Sequence, residues 1–215
     1  MRTAQGHKGF TLVEMAIVLV IIGLILGAVL KGQELIGNAK VKKLQQQYIN
    51  GLDGFIWGFY DRQGRFPGDC NKNGLIGYRL PPNSAPGTYN PPALSANQNP
   101  TTDYCASTST GENQNTPFSD LRSQGFLPAN VTNQDLATFT GFGMNTQVRI
   151  GTANTTSNAI VIYNIPSFAA QMIDTSIDTQ PNATSGRFQR WDSAAAWPAT
   201  KDQAVHVVYY FDRQP

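Results

Sequence analysis

The sequence predicts an α+β protein in which one long N-terminal helix precedes an antiparallel β-sheet. An apolar run fills residues 10–30, and a helical stripe of apolar side chains extends it to about residue 60. Strand signals come only later, and residues 204–211 (AVHVVYYF) are the strongest of them. Helix first and strands afterwards, with no β-α-β alternation, is the order of an α+β fold, and the sheet is expected to pack on the second half of the helix.

Charge excludes one broad class of function. The 215 residues carry 16 Lys+Arg and 14 Asp+Glu, a net charge of +2, and only 14% of residues are charged. Arg2 and Lys8 lie in residues 1–9, which hold no acid, so they account for the whole excess. A neutral remainder argues against a protein that binds nucleic acid by neutralising many phosphates, and we expect no nucleic-acid partner.

The apolar run is long enough for a transmembrane helix. Its 21 residues, 10–30, would span about 31 Å as a helix, and apolar residues lie all round it. Glu14 is the single charge in the run. A carboxylate at that depth costs on the order of 3 kcal/mol and requires a partner. A plain single-span anchor, in which Gly23 and Gly27 are incidental, remains the alternative, although it leaves Glu14 without a role.

The residues around the start of this run resemble a known signal. Gly9-Phe10-Thr11-Leu12-Val13-Glu14, after a short basic leader, is similar to the class III signal of type IV pilins and type II secretion pseudopilins. The resemblance implies a pilin-like fold, cleavage between Gly9 and Phe10 by a prepilin peptidase, and N-methylation of the new Phe10 amine. Glu14 would then act in assembly, because the new amine is cationic near neutral pH and can offset its charge.

The resemblance also implies a cellular setting and partners. The helix would wait in the bacterial inner membrane, with the N-terminus cytoplasmic and the head periplasmic. An inner-membrane assembly platform would then move it into a filament of other pilin or pseudopilin subunits, in the periplasm or at the cell surface. Many family members carry a helix-kinking proline in this helix, whereas no proline precedes Pro67 here. That departure favours a minor pilin or a pseudopilin.

The sequence divides into a leader, a helix and a head. Residues 1–9 form the leader, 10–30 the transmembrane and assembly segment, and 31–60 the continuation of the helix. The head, residues 61–215, comprises a Pro- and Asn-rich irregular loop, 61–120, and a sheet region, 121–215. The helical continuation is predicted from apolar residues at steps of three and four. These residues are Leu44, Tyr48, Leu52, Phe55 and Phe59.

Two features can fix the 61–120 loop. Cys70 and Cys105 form a candidate disulfide, since a head outside the cytoplasm lies in an oxidising compartment. Two buried free thiols are the alternative.

Asp69, Asn71 and Asn73 fit the first half of a Ca²⁺-binding loop, D-x-N-x-N-G, but the closing glutamate is missing. A turn rich in Asp, Asn and Gly is the favoured interpretation, and no other cofactor is expected.

Two segments of the head resemble a subset of uncharacterised prepilin-type proteins. They are residues 61–69 (DRQGRFPGD) and 118–127 (FSDLRSQGFL). Residues 164–174, which contain Asn164-Ile165-Pro166, are similar to the same subset. The resemblance therefore extends over most of the chain, but this subset has no established activity from which a function could be inferred.

The sequence also predicts strands, a second helix and buried side chains in the head. Strands are predicted at 143–152 and 158–164, and a helix at about 168–178 is expected to be capped by Ser167. Residues 135–140 are ambiguous. His206, Trp191 and Trp197 are expected in the core, although exposed tryptophans would make a contact surface.

No catalytic motif is present in the sequence, so an enzyme is not expected. The predicted function is a structural filament subunit. The alternative is a filament-tip adhesin or DNA-uptake receptor whose 61–120 loop binds a ligand.

Overall fold

A computed structural model describes residues 10–81, 91–94, 105, 113–192 and 196–212. The chain forms two compact units, Met1–Ala39 and Lys40–Pro215. The described part of the first unit is helical from Leu12 onward. The second unit contains the end of that helix, further helices and the sheet.

Helix α1 covers Leu12–Leu44 and is followed by a π-helical segment, Gln45–Asn50, and by helix α2, Gly51–Gln63. Helix α2 ends at Gly64, whose φ of 66° is the left-handed conformation that glycine adopts without strain. The helical region therefore extends three residues beyond the predicted end at 60.

The π-helical segment changes which side chains face the core. A π turn holds more residues than an α turn. The side chains that follow it are therefore rotated about the helix axis, compared with their positions in a regular α-helix. Of the predicted stripe, Phe55 is 37% exposed, whereas Ile49 and Ile56 are buried. The other four members, Leu44, Tyr48, Leu52 and Phe59, are buried as predicted. The prediction for Phe55 was wrong because regular spacing does not reveal a π turn.

Five antiparallel strands form one sheet in the order β1-β2-β3-β5-β4. They are β1 Thr138–Phe139, β2 Thr146–Thr152, β3 Asn158–Pro166, β4 Phe188–Arg190 and β5 Ala204–Tyr209. The three predicted strands occupy the centre of the sheet, whereas the two short edge strands, β1 and β4, carry too little pattern to be predicted.

Both faces of the central strands are covered, which explains their continuous apolar character. One face belongs to the main core, which includes Ile56, Ile150 and Ile162. On the other face a smaller cluster joins Leu80, Val161 and other residues, so the end of the irregular loop covers that side of the sheet. The backbone of this loop segment bonds directly to β2: Leu80 N–H donates to the Thr152 carbonyl at 3.0 Å.

In the stretches from 113 to 192 and from 196 to 212, three further helices accompany the sheet: α3 Thr116–Ser123, α4 Asn133–Leu136 and α5 Ser167–Asp178. Helix α3 begins inside the segment that was expected to be irregular. Helix α4 and strand β1 divide the ambiguous stretch 135–140 between them.

The start of α5 differs from the prediction. Pro166 occupies the cap position, and Ser167, the predicted cap, is the first helical residue. The Ser167 and Phe168 N–H groups donate to the carbonyls of Gln203 and Lys201, at 2.9 and 3.0 Å. Because a neighbouring segment of chain satisfies these N–H groups, the helix needs no side-chain cap.

Candidate functional site

Thr11 and Glu14 form a reciprocal cap at the start of α1. The Glu14 carboxylate accepts hydrogen bonds from the Thr11 backbone N–H at 2.8 Å and from the Thr11 hydroxyl at 2.9 Å. The Glu14 N–H lies 3.3 Å from the Thr11 hydroxyl oxygen, to which it donates. This is a capping box, a T-x-x-E pattern that fixes the first helical turn. The carboxylate is therefore held at the helix start, beside the residue that follows Phe10.

The helix that follows this cap is apolar and uncovered within its own unit. Phe10 is 84% exposed, and every large apolar residue from Leu12 to Leu30 is also exposed. Gly23 and Gly27, the small-residue pair, have open space on their Cα atoms. This helix is long and apolar enough to cross a membrane. Lipid or other helices are needed to cover such a surface.

The predicted processing residues are partly described. Gly9 lies outside the described residues, whereas Phe10 and Thr11 precede the helix. The Gly9–Phe10 bond therefore lies two residues before the helix begins at Leu12.

The long apolar helix together with the antiparallel sheet defines a pilin-like α+β protein. Residues 5–30 match the family described as the prokaryotic N-terminal methylation motif. That match is consistent with a type IV pilin or pseudopilin, and the motif implies processing by prepilin peptidase and assembly with other pilin subunits. No curated protein and no solved structure shows significant similarity to the chain.

In the second unit, Cys70 and Cys105 are joined by a disulfide with 4.9 Å between their Cα atoms. The bridge ties the 61–81 segment to Cys105. Most of the loop between the two cysteines, residues 82–90 and 95–104, lies outside the described residues. The proposed ligand-binding role of the whole 61–120 loop therefore stays a prediction.

The side-chain oxygens of the Ca²⁺ candidate residues accept backbone hydrogen bonds. Asp69, which is 1% exposed, accepts from the N–H groups of Asn73 and Gly74 at 3.1 and 2.9 Å. Asn71 accepts from the Asn73 N–H at 3.1 Å, and Asn73 accepts from the Leu75 N–H at 2.8 Å. The contacts of Asn71 and Asn73 are Asx turns, whereas Asp69 accepts from residues four and five positions further on. The described residues contain no group of three or more His, Cys, Asp or Glu side chains that could hold a metal.

An ion pair connects the two head segments that resemble the prepilin-type subset. Arg65 Nη1 lies 2.6 Å from Asp120 Oδ2, and the same oxygen accepts the Gly68 N–H at 2.8 Å. Arg62 adds a second link, since its guanidinium lies 4.5 Å from the ring centre of Phe126. Two residues that are 55 positions apart therefore join the two segments in one structural contact.

Three further side chains are predicted to lie in the core: His206, Trp191 and Trp197. His206 is buried, and its Nδ1 accepts the Asn164 N–H at 3.1 Å, which supports the bulge in β3. Trp191 and Trp197 are half-buried, and their ring N–H groups donate to the Pro81 carbonyl at 2.9 Å and to Asp174 at 3.1 Å. Both tryptophans thus pack against the cores, although neither is fully buried as predicted.

Burial perturbs two acidic side chains of the second unit. Burial raises the pKa of Asp174 to about 6, although hydrogen bonds from the Asn182 N–H and Trp197 oppose the shift. Burial also raises the pKa of Asp53, which accepts a hydrogen bond from the Tyr209 hydroxyl at 3.1 Å.

Two of these features differ in whether the sequence carries a signal for them. The Thr11–Glu14 cap had a local signal, T-x-x-E before an apolar run, and could have been predicted. The Arg65–Asp120 pair had none, because its partners come together only in the folded head.

Proposed function

We propose that the protein is a structural subunit of a type IV-like filament, a minor pilin or a pseudopilin. It is processed by prepilin peptidase and assembles through its hydrophobic N-terminal helix. In this proposal its function is non-catalytic, and its partners are other subunits of the same kind together with an inner-membrane assembly platform.

The observation that carries the proposal is the capped Glu14 carboxylate at the start of an uncovered apolar helix. Cleavage before Phe10 would create an α-amine one residue from Thr11, whose N–H already donates to Glu14 at 2.8 Å. A cation at that position supplies the partner that a carboxylate in an apolar environment requires. The amine exists only after cleavage, so processing and assembly become electrostatically coupled.

The exposed surface of the helix supports the same role. Side chains from Leu12 to Leu30 are uncovered in the single chain. Before assembly lipid covers them, with the N-terminus cytoplasmic and the head periplasmic. In the filament the equivalent helices of other subunits replace the lipid, and the heads face outward. N-methylation of Phe10 keeps the amine basic, so it leaves the pairing with Glu14 intact.

Co-expression of the full chain with a prepilin peptidase and the assembly components tests the proposal. Mass spectrometry is expected to find a chain that begins at methylated Phe10, and filaments are expected to contain it. The variant Glu14→Gln, which keeps the size and removes the charge, is expected to be cleaved normally but to enter filaments at least about tenfold less, because the amine loses its anionic partner. Glu34→Gln, at an exposed pair with Lys31, is the matched control.

Absence of cleavage at Gly9–Phe10 would overturn the proposal at its first step. Filament incorporation of Glu14→Gln equal to that of the wild type would overturn the assigned role of the carboxylate.

A further inference from the structure

A surface cleft of about 270 Å³ lies beside the disulfide-linked loop. Its polar lining comes from two chain segments, 71–79 and 152–155. We name it the amide cleft, because three of its nine lining residues are asparagines. The polar side chains considered below are those of Asn71, Asn73, Arg79, Asn154 and Thr155.

Each asparagine in the amide cleft uses its oxygen within its own turn. Asn71 and Asn73 accept the N–H groups two residues further on, at 3.1 and 2.8 Å. Asn154 accepts both the N–H of Thr156 at 2.9 Å and its hydroxyl at 3.1 Å. An amide whose oxygen is engaged in this way keeps the two N–H donors of its NH₂ group for another partner. The three asparagines that line the cleft can therefore offer hydrogen-bond donors to a ligand.

The charge at the cleft is positive, which also suits a ligand that accepts hydrogen bonds. Arg79 lines it and is exposed, and Lys72, on the same loop, is also exposed. The described residues that line the cleft include no aspartate or glutamate. The nearest carboxylate in the loop sequence is Asp69, which is buried and bound by two backbone N–H groups.

The donors are held on a rigid support. Asn158 fastens the loop to β3, since its side chain accepts the Ile76 N–H and donates to the Gly74 carbonyl, both at 2.8 Å. The Thr152 N–H donates to the Tyr78 carbonyl at 2.8 Å, which joins the two walls of the cleft. Donors that are fixed before binding lose little entropy when a ligand arrives.

We propose that the amide cleft binds an oxyanion group: a carboxylate, sulfate or phosphate. Such a group accepts several hydrogen bonds at once, and the guanidinium of Arg79 offers the paired N–H geometry that it prefers. The D-x-N-x-N-G loop was the candidate for a Ca²⁺ site in the sequence. In this proposal the same loop donates hydrogen bonds to an anion instead. This inference is independent of the filament role.

Titration of the full chain in detergent with sodium sulfate, phosphate and citrate tests the proposal by calorimetry. Sodium chloride at equal ionic strength serves as the reference. A saturable heat with at least one of the three oxyanions is expected, and the preference among them identifies the group. The decisive variants are Asn73→Asp and Asn154→Asp. An aspartate can still accept the same backbone N–H, so the turn is kept, while the NH₂ donor becomes a negative oxygen.

Each of these two variants is expected to weaken oxyanion binding at least about tenfold. The matched control is Asn182→Asp, because Asn182 accepts the N–H and hydroxyl of Thr184 at 3.0 and 3.2 Å in the same Asn-x-Thr geometry outside the cleft. Arg79→Gln is expected to weaken binding without altering the turns.

Three results would overturn the proposal. The first is the absence of saturable binding beyond the chloride reference, and the second is an equal loss of binding in Asn182→Asp. The third is calcium binding by the wild-type chain that Asn73→Asp strengthens, since that result would assign the loop to a cation. Circular dichroism of each variant separates lost binding from lost folding.

Discussion

Arg65 and Asp120 form a buried ion pair that closes the start of the irregular loop onto helix α3. Their side chains are 6% and 0% exposed, and 2.6 Å separates Arg65 Nη1 from Asp120 Oδ2. The Arg65 guanidinium also lies over the ring of Phe59, 5.1 Å from its centre. One charge pair therefore connects the helix, the loop and α3.

Removal of one partner of this pair is expected to destabilise the head strongly. Asp120→Ala leaves the Arg65 charge buried without its anion, which costs about 3–5 kcal/mol. Chemical unfolding of the full chain in detergent, monitored by tryptophan fluorescence, measures the loss. Glu34→Gln breaks an exposed pair, Lys31–Glu34 at 2.7 Å, and is expected to change the unfolding free energy by less than about 0.5 kcal/mol. Similar effects of the two substitutions would contradict the assignment.

The disulfide is expected to stabilise the head mainly by restricting the unfolded loop. Its cysteines are 35 positions apart, and closure of such a loop contributes about 3–4 kcal/mol in the chain-entropy model. The double variant Cys70→Ser/Cys105→Ser should therefore unfold at lower denaturant, by an amount that matches chemical reduction of the wild type. Reductant should leave the double variant unchanged. Alkylation of both thiols in the untreated protein would contradict the bridge.

Asp174 is expected to make stability depend on pH. Burial raises its pKa to about 6, so the folded state holds a proton that the unfolded state releases at lower pH. The contribution of Asp174 to stability therefore falls as pH rises from about 4 to about 6, and the loss persists above that range. The neutral isostere in Asp174→Asn can keep the acceptor for the Asn182 N–H, which lies 2.6 Å from the carboxylate. This variant is expected to be more stable than the wild type at pH 7.5, by on the order of 2 kcal/mol, and equally stable near pH 4.

Urea midpoints of both proteins at pH 4.5, 6 and 7.5 would measure this effect. Asp202→Asn, at an exposed site, serves as the control for the Asp-to-Asn substitution itself. A wild-type midpoint that rises between pH 4.5 and 7.5, with no difference from Asp174→Asn, would contradict the prediction.

Gly151 is expected to tolerate no side chain. A Cβ atom at this position would meet the carbonyl oxygen of Tyr78 and the side chain of Leu80, because the loop backbone lies directly on strand β2. Gly151→Ala must push the loop away from the strand and break its hydrogen bonds to β2, for which we expect a cost above about 2 kcal/mol. Gly54→Ala is the contrasting variant: its Cβ meets nothing within 4 Å, and a helical alanine is worth up to about 1 kcal/mol more than glycine. Thermal unfolding of both variants should shift in opposite directions.

The sequence by itself determined the elements whose signal is local. The methylation motif at residues 5–30, the apolar helix and the β-branched central strands each follow from residues that are neighbours in the chain. Backbone propensity, helical spacing and apolar burial act over a few residues, so they can be inferred without a fold. The Thr11–Glu14 cap belongs to this group as well, because its T-x-x-E pattern is local.

Only the tertiary structure determines which contacts the irregular loop makes with the rest of the head. The Arg65–Asp120 pair, the contact of Gly151 with the Tyr78 carbonyl and the π turn that exposes Phe55 leave no periodic trace in the sequence. The same holds for the three asparagines of the amide cleft, since the sequence gives their types but not which end of each amide is engaged. These features depend on contacts between distant segments or on the local choice of hydrogen-bond partner. Their energies are fixed only when the chain has folded.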